Sequence, residues 1–244
     1  LFTFPYAGGG AGTYRQWQSA MPEDIEVCPV HLPGRERRFR ETPFVRVEPL
    51  IESFAAAMLP WLDRPFALFG HSMGAIIAYE LARLLAPRPA ASLLLRVFLS
   101  ARAAPHLPST EPILHNLPDD EFIAELRQLK GTPEALLDDR EAMRVMMPLV
   151  RADFQLTETY VHRPGPPLRC GLSVFGGRDD VWVDEGMLQD WRAYTDGPFR
   201  LRMMQGDHFY INDAPDALLS AIRDDLLHAM RPGRDRPAPF QTVR

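Results

Sequence analysis

The chain has 244 residues, enough for one α/β domain or one domain with an insertion, and 46% hydrophobic against 24% charged residues gives it a sizeable core. A net charge of -5 argues against a general nucleic-acid binder. Two cysteines, Cys28 and Cys170, are too few for a disulfide framework and lack metal-ligand spacing, so both read as buried thiols in apolar strand-like runs.

No apolar run reaches the length of a membrane span and no signal peptide is visible, so a cytoplasmic enzyme is expected. The chain opens on Leu1-Phe2-Thr3-Phe4, already strand-like and without an initiating methionine, and residues are expected to precede it. This strand runs into Pro5-Tyr6-Ala7-Gly8-Gly9-Gly10-Ala11-Gly12. Such a loop could cradle phosphate, but it has neither the Lys-Ser/Thr of a P-loop nor Gly-x-Gly-x-x-Gly spacing. The other reading, a loop after an early strand that supplies one oxyanion-hole N–H, is preferred and makes Ala7 a donor.

Thr13 to Met21 has helical spacing, and Ile25 to Val30 is a second strand. Next comes Leu32-Pro33-Gly34-Arg35-Glu36-Arg37-Arg38-Phe39-Arg40, a turn with a basic cluster. The cluster is either a solvated face or a landing surface for an acidic partner. Val47 to Leu62 is apolar at helical spacing. Then Phe66 to His71 reads as a buried strand, Gly70-His71-Ser72-Met73-Gly74 as a tight turn and Ser72 to Leu85 as a helix. That context is what a nucleophile elbow requires, with glycines where strand and helix approach closely. Ser72 is the candidate nucleophile, and Met73, at the helix N-terminus, is the second backbone donor.

Leu93 to Ser100 is the next strand, so the chain up to this point alternates strand and helix and predicts a parallel sheet flanked by helices. The alternation stops over residues 105–164, which look helical throughout and carry Met143, Met146, Met147 and Phe154. The reading is a helical lid over the site whose methionines adapt to acyl chains; a packed helical hairpin with core methionines is the alternative. Residues 1–104 and 165–230 then form the core. Cys170 to Gly176 and Pro198 to Met204 are strands, Asp184 to Tyr194 and Ala214 to Met230 helices, and 231–244 a proline-rich loose tail.

A serine hydroxyl needs a histidine base, and the base needs a carboxylate to hold its tautomer. Of the seven histidines, His208 alone follows a strand directly and precedes the final helix; His71, beside the nucleophile, reads as a packing or polar-contact residue. The acid is one of two neighbours: Gly177-x-x-Asp180-x-x-Val183 and Gly176-x-x-Asp179-x-x-Trp182 both fit, and Asp180 is chosen. The order Ser…Asp…His is that of α/β-hydrolases.

Phe4-Pro5-Tyr6-Ala7-Gly8-Gly9, Leu32-Pro33-Gly34-Arg35-Glu36-Arg37, Gly70-His71-Ser72-Met73-Gly74-Ala75, Gly176-Gly177-x-x-Asp180 and Gly206-Asp207-His208-Phe209 resemble the type II thioesterases. These stand-alone α/β-hydrolases accompany polyketide synthases and nonribosomal peptide synthetases, and the likeness runs from Phe2 to about Met230. The resemblance implies hydrolysis of stalled acyl groups from the phosphopantetheine arm of carrier proteins. It implies no metal and no organic cofactor, since phosphopantetheine arrives with the substrate. It also implies a monomer that binds neither nucleic acid nor membrane, with Arg35, Arg37, Arg38 or Arg40 meeting an acidic carrier. A terminal, product-releasing thioesterase excised from a synthase is the enzymatic alternative. A catalytically dead hydrolase fold used as a binding module is the other; the intact serine, histidine and acid speak against it.

Overall fold

The chain runs through β1 (Phe2–Phe4), β2 (Cys28–Pro29), α1 (Val47–Met58), β3 (Phe66–His71), α2 (Met73–Leu85) and β4 (Leu94–Ser100) before its first long departure from the sheet. That departure holds α3 (Asp119–Leu129), α4 (Glu134–Leu137) and α5 (Arg140–Glu158). The sheet resumes with β5 (Gly171–Gly177), α6 (Glu185–Gln189), β6 (Phe199–Met204), α7 (Tyr210–Asp213) and α8 (Pro215–Met230). The computed structural model describes residues 1–109, 112–213 and 215–231. All but the first residue of the tail expected at 231–244, and Ala214, lie outside the described residues.

Among the described residues six strands form one sheet in the order β2-β1-β3-β4-β5-β6, and every neighbouring pair is parallel. A parallel sheet covered on both faces needs strands that are apolar throughout. β3 is such a strand up to its last residue, His71, and is buried at all six positions. One face packs on α1 and α2. Val47, Leu50, Ile51, Phe54, Ala55 and Met58 of α1 recur at helical spacing and all are buried. The other face packs on α8 through Leu218, Leu219, Ile222 and Leu226, together with Tyr14 and Trp17.

Local departures from the sequence reading have steric causes. Thr13 to Met21 forms two short 3-10 segments, Ala11–Tyr14 and Trp17–Ala20, not one helix. Tyr14, the last residue of the first segment, and Trp17, the first of the second, both pack edge-on against Phe69. Helix α6 likewise gives way to a 3-10 turn at Asp190–Tyr194. Cys170 is buried, but Cys28 is only half-buried because β2 is an edge strand. Burial pushes the Cys170 thiol up to about 12 and raises that of Cys28.

Helices α3 to α5 enclose a small core of their own, built from Leu114, Phe122, Leu126, Leu137, Met143 and Met147. Asp139 caps α5 by accepting from the Glu141 and Ala142 N–H groups, each at 3.0 Å. No helix among the described residues is long and apolar enough to cross a membrane.

Candidate active site

Ser72 stands between the end of β3 and the first residue of α2, with φ 53° and ψ -113°, a conformation that costs a side-chain-bearing residue about 1–3 kcal/mol. Its backbone is held there: Ser72 N–H donates to the Ser100 carbonyl at 2.8 Å, and its own carbonyl accepts from Ala75 at 3.0 Å. The turn is possible only with glycine on either side. A Cβ on Gly70 would lie 1.8 Å from the Gly74 oxygen, and one on Gly74 would lie 2.2 Å from the Phe4 oxygen. The result presents the serine at the carboxyl edge of the sheet, where parallel α/β sheets bind ligands.

The loops after β5 and β6 reach the same edge. His208 Nδ1 lies 2.8 Å from Asp180 Oδ2, with both side chains largely out of solvent. A carboxylate accepts only, so Nδ1 carries the hydrogen, an arrangement that in the neutral ring leaves the lone pair on Nε2. The other Asp180 oxygen accepts from the N–H groups of Trp182 at 2.9 Å and Val183 at 3.2 Å. Asp179 is exposed and contributes only a backbone N–H, to the Gly206 carbonyl. Asp207 accepts from Phe209 N–H and shapes the turn.

Behind His208 lies a polar chain that the sequence reading reached only in part. His71 is fully buried, its Nδ1 pairs with Ser100 Oγ at 2.8 Å, and Ser100 Oγ pairs in turn with the Tyr210 hydroxyl. The His71 and His208 rings meet edge-on, 5.3 Å apart, and Trp182 closes the other side of His208 at 5.4 Å. Burial, and behind it the nearby His208, hold the His71 pKa well below the ordinary histidine value, so His71 stays neutral.

Ser72, His208 and Ala7 line one cavity of about 250 Å³, shared with Trp182, Leu114 and Phe154. Ala7 N–H makes no hydrogen bond among the described residues. Met73 is the first residue of α2, so its N–H has no partner within that helix. A larger groove of about 340 Å³ lies between α1 and α2 beside Tyr160 and holds none of these groups. Among the described residues no cluster of three or more His, Cys, Asp or Glu is placed to hold a metal ion.

Two expectations need correction. Met143 and Met147 face the interior of α3 to α5, Met146 packs at its edge, and none of the three lines the cavity, whereas Phe154 does. Their spacing points them at Phe122, Leu126 and Leu137 instead. Arg35 is 5% exposed and forks onto Asp153 of α5, so it is not part of a docking surface. Arg38 is tied to Glu41 and to the His31 carbonyl, while Arg37 and Arg40 are exposed. Asp153 was missed, although a lone carboxylate among Leu149, Val150, Ala152 and Leu156 is a signal of a buried partner.

Residues 1–226 match the family model described as a thioesterase domain. The linear gramicidin dehydrogenase LgrE of Brevibacillus parabrevis is 44% identical over 93% of this chain and 87% of its own. Among solved structures, the RedJ thioesterase of the prodiginine pathway in Streptomyces coelicolor superposes with a TM-score of 0.86. It is 37% identical, over 92% of this chain and 84% of RedJ. The type II thioesterase BorB of the borrelidin cluster gives a TM-score of 0.84 and 39% identity, over 93% of this chain and 91% of BorB. A serine at a strained elbow, a histidine and carboxylate on the same sheet edge, and likeness along nearly the whole length place the chain in the thioesterase family, as a thioester-hydrolysing α/β-hydrolase of the type II kind.

Proposed function

We propose that the protein removes acyl groups from the phosphopantetheine arm of carrier proteins serving polyketide or nonribosomal peptide assembly. One observation carries the reading: Ser72, the Asp180–His208 pair and the free Ala7 N–H converge on one cavity at the carboxyl edge of the sheet. Neighbours named for prodiginine and borrelidin biosynthesis support this substrate class.

In this mechanism Ser72 Oγ attacks the thioester carbonyl while His208 Nε2 takes its proton, and Asp180 stabilises the imidazolium. The N–H groups of Ala7 and Met73 hold the tetrahedral oxyanion, commonly the largest single contribution to such catalysis. The C–S bond then breaks, and His208 returns the proton to the departing thiol. A water, deprotonated by His208, attacks the acyl-Ser72 ester; the C–Oγ bond breaks, His208 gives that proton to Ser72 Oγ, and the carboxylic acid leaves. No step calls for a metal or an organic cofactor. Residues 105–164 act as the lid over the acyl chain, residues 1–104 and 165–230 as the catalytic core, and the protein works as a cytoplasmic monomer on carrier domains.

The test is Ser72→Ala, assayed on an acetyl-carrier thioester and on a small soluble thioester. Hydrolysis of both should fall by about 10³-fold or more with the thermal midpoint no lower than the wild type's. Undiminished turnover would remove Ser72 as nucleophile.

A further inference from the structure

The Leu32-Pro33-Gly34-Arg35-Glu36-Arg37 stretch carries two side chains that turn inward onto the glycine-rich loop. Arg35 Nη1 donates to the Gly9 carbonyl at 2.7 Å and to Asp153 Oδ2 at 3.0 Å, and Nη2 donates to Asp153 Oδ1 at 2.7 Å. Asp153 Oδ2 also accepts from Gly8 N–H at 2.8 Å. Both side chains are more than nine-tenths buried. Glu36 continues the brace by accepting from Ala11 N–H at 3.1 Å and Gly12 N–H at 2.9 Å. The two residues that follow Ala7 are thus each gripped by a member of a buried ion pair that joins segments 118 residues apart.

Stability alone does not account for such a pair. Taking two charges out of water costs as much as their attraction returns, and apolar residues of similar volume often serve as well. Arg35 Nε is moreover buried without a hydrogen-bond partner. The contacts left over after the fork go to Gly8 N–H and the Gly9 carbonyl. Gly8 has φ +77°, and the turn closes with Gly9 N–H donating to the Tyr6 carbonyl at 2.9 Å; that carbonyl shares a planar peptide unit with the Ala7 N–H, so movement of Gly8 and Gly9 would re-aim it.

We propose that Arg35 and Asp153 are positioning residues that aim the Ala7 N–H at the oxyanion by clamping Gly8 and Gly9, and that they fasten the oxyanion loop to α5. This rests on the reading of Ala7 as oxyanion donor given above. Because Asp153 stands on α5, that helix is bolted to the catalytic loop.

The experiment separates positioning from folding by replacing both charges with apolar residues of similar size, Arg35→Met with Asp153→Leu. The readouts are the thermal midpoint, kcat and KM on a soluble acyl thioester, and inhibition by a trifluoromethyl ketone analogue. The ketone forms a hemiketal with Ser72 whose oxyanion occupies the hole. The expected result is a thermal midpoint near the wild type, kcat lower by roughly 10- to 100-fold and KM within about threefold, with inhibition weakened in step with kcat/KM. Wild-type kcat and inhibition in the folded double variant would overturn the proposal. Should that variant fail to fold, Asp153→Asn, read per folded molecule, takes its place. It leaves the Arg35 charge uncompensated and the fork broken, so unchanged kcat there overturns the proposal equally. A wild-type enzyme that neither turns over the thioester nor binds the ketone would instead remove the mechanism on which the proposal rests.

Discussion

At the exit of β5 the chain offers two adjacent carboxylates, and the backbone turn decides between them. The N–H of Asp180 folds back toward the Gly177 carbonyl, which drives the Asp180 side chain inward to 0% exposure. There it accepts from Trp182, Val183 and His208, three donors that fix both oxygens. A carboxylate so held keeps the histidine in the tautomer that can accept from Ser72; an amide in its place offers a donor where an acceptor is required. Asp180→Asn should therefore lower kcat by roughly 10³- to 10⁴-fold, and Asp179→Asn should stay within about twofold of the wild type. Initial rates on a soluble thioester decide this, and equal losses in the two variants would contradict the geometry.

Among the elements, those that were legible in the sequence are the ones whose constraint is local. β3 and the elbow could be read because an apolar run and two glycines four residues apart admit one steric solution. The helices on either side followed from spacing, as the buried stripe of α1 shows. What escaped were partnerships between distant residues. Arg35 looked like one member of a basic surface because nothing within ten residues announces Asp153, and the methionines of α5 looked like pocket residues because periodicity does not say which side faces the cavity.

The same holds for the contact of α8 with β5 and β6. Asp225, on α8, accepts from Ser173 Oγ at 2.6 Å, from both Nη atoms of Arg202 at 2.8 Å and from Arg200. Burial alone would raise its pKa, but these hydrogen bonds and the Arg202 charge hold it down to about 2, from an ordinary value of 3.8. Because the folded value is the lower one, the stabilisation is complete above the unfolded pKa of 3.8 and is lost as the pH falls toward 2. Asp225→Asn should flatten stability across that acid range and cost roughly 2 kcal/mol at neutral pH, where it breaks a buried, multiply bonded carboxylate. Urea unfolding at pH 7 and pH 3 measures both effects; an unchanged difference between the two pH values would dismiss Asp225 as their source.

For the molecule as a whole, a net charge of -5 would repel an acidic carrier, so productive encounter needs a local field of the opposite sign. With Arg35 withdrawn and Arg38 neutralised by Glu41, the remaining candidates are Arg37 and Arg40, both exposed, with the 54% exposed ring of Phe39 between them in sequence. They belong to the segment whose Arg35 donates to the Gly9 carbonyl, two residues beyond the Ala7 of the cavity lining. Exposed charges at the rim of an interface act mainly on association rate and are screened within about 8 Å at physiological salt. The double variant Arg37→Glu with Arg40→Glu should therefore lower kcat/KM on a carrier-bound acyl group by about tenfold at low salt. That deficit should shrink as salt is added, while turnover of a small thioester stays within about twofold. The two substrates share Ser72, Asp180, His208 and the cavity, so only a step that involves the carrier can separate them. Equal losses on both would place the arginines in the architecture of the site, and no loss on either would place the docking surface elsewhere on the molecule.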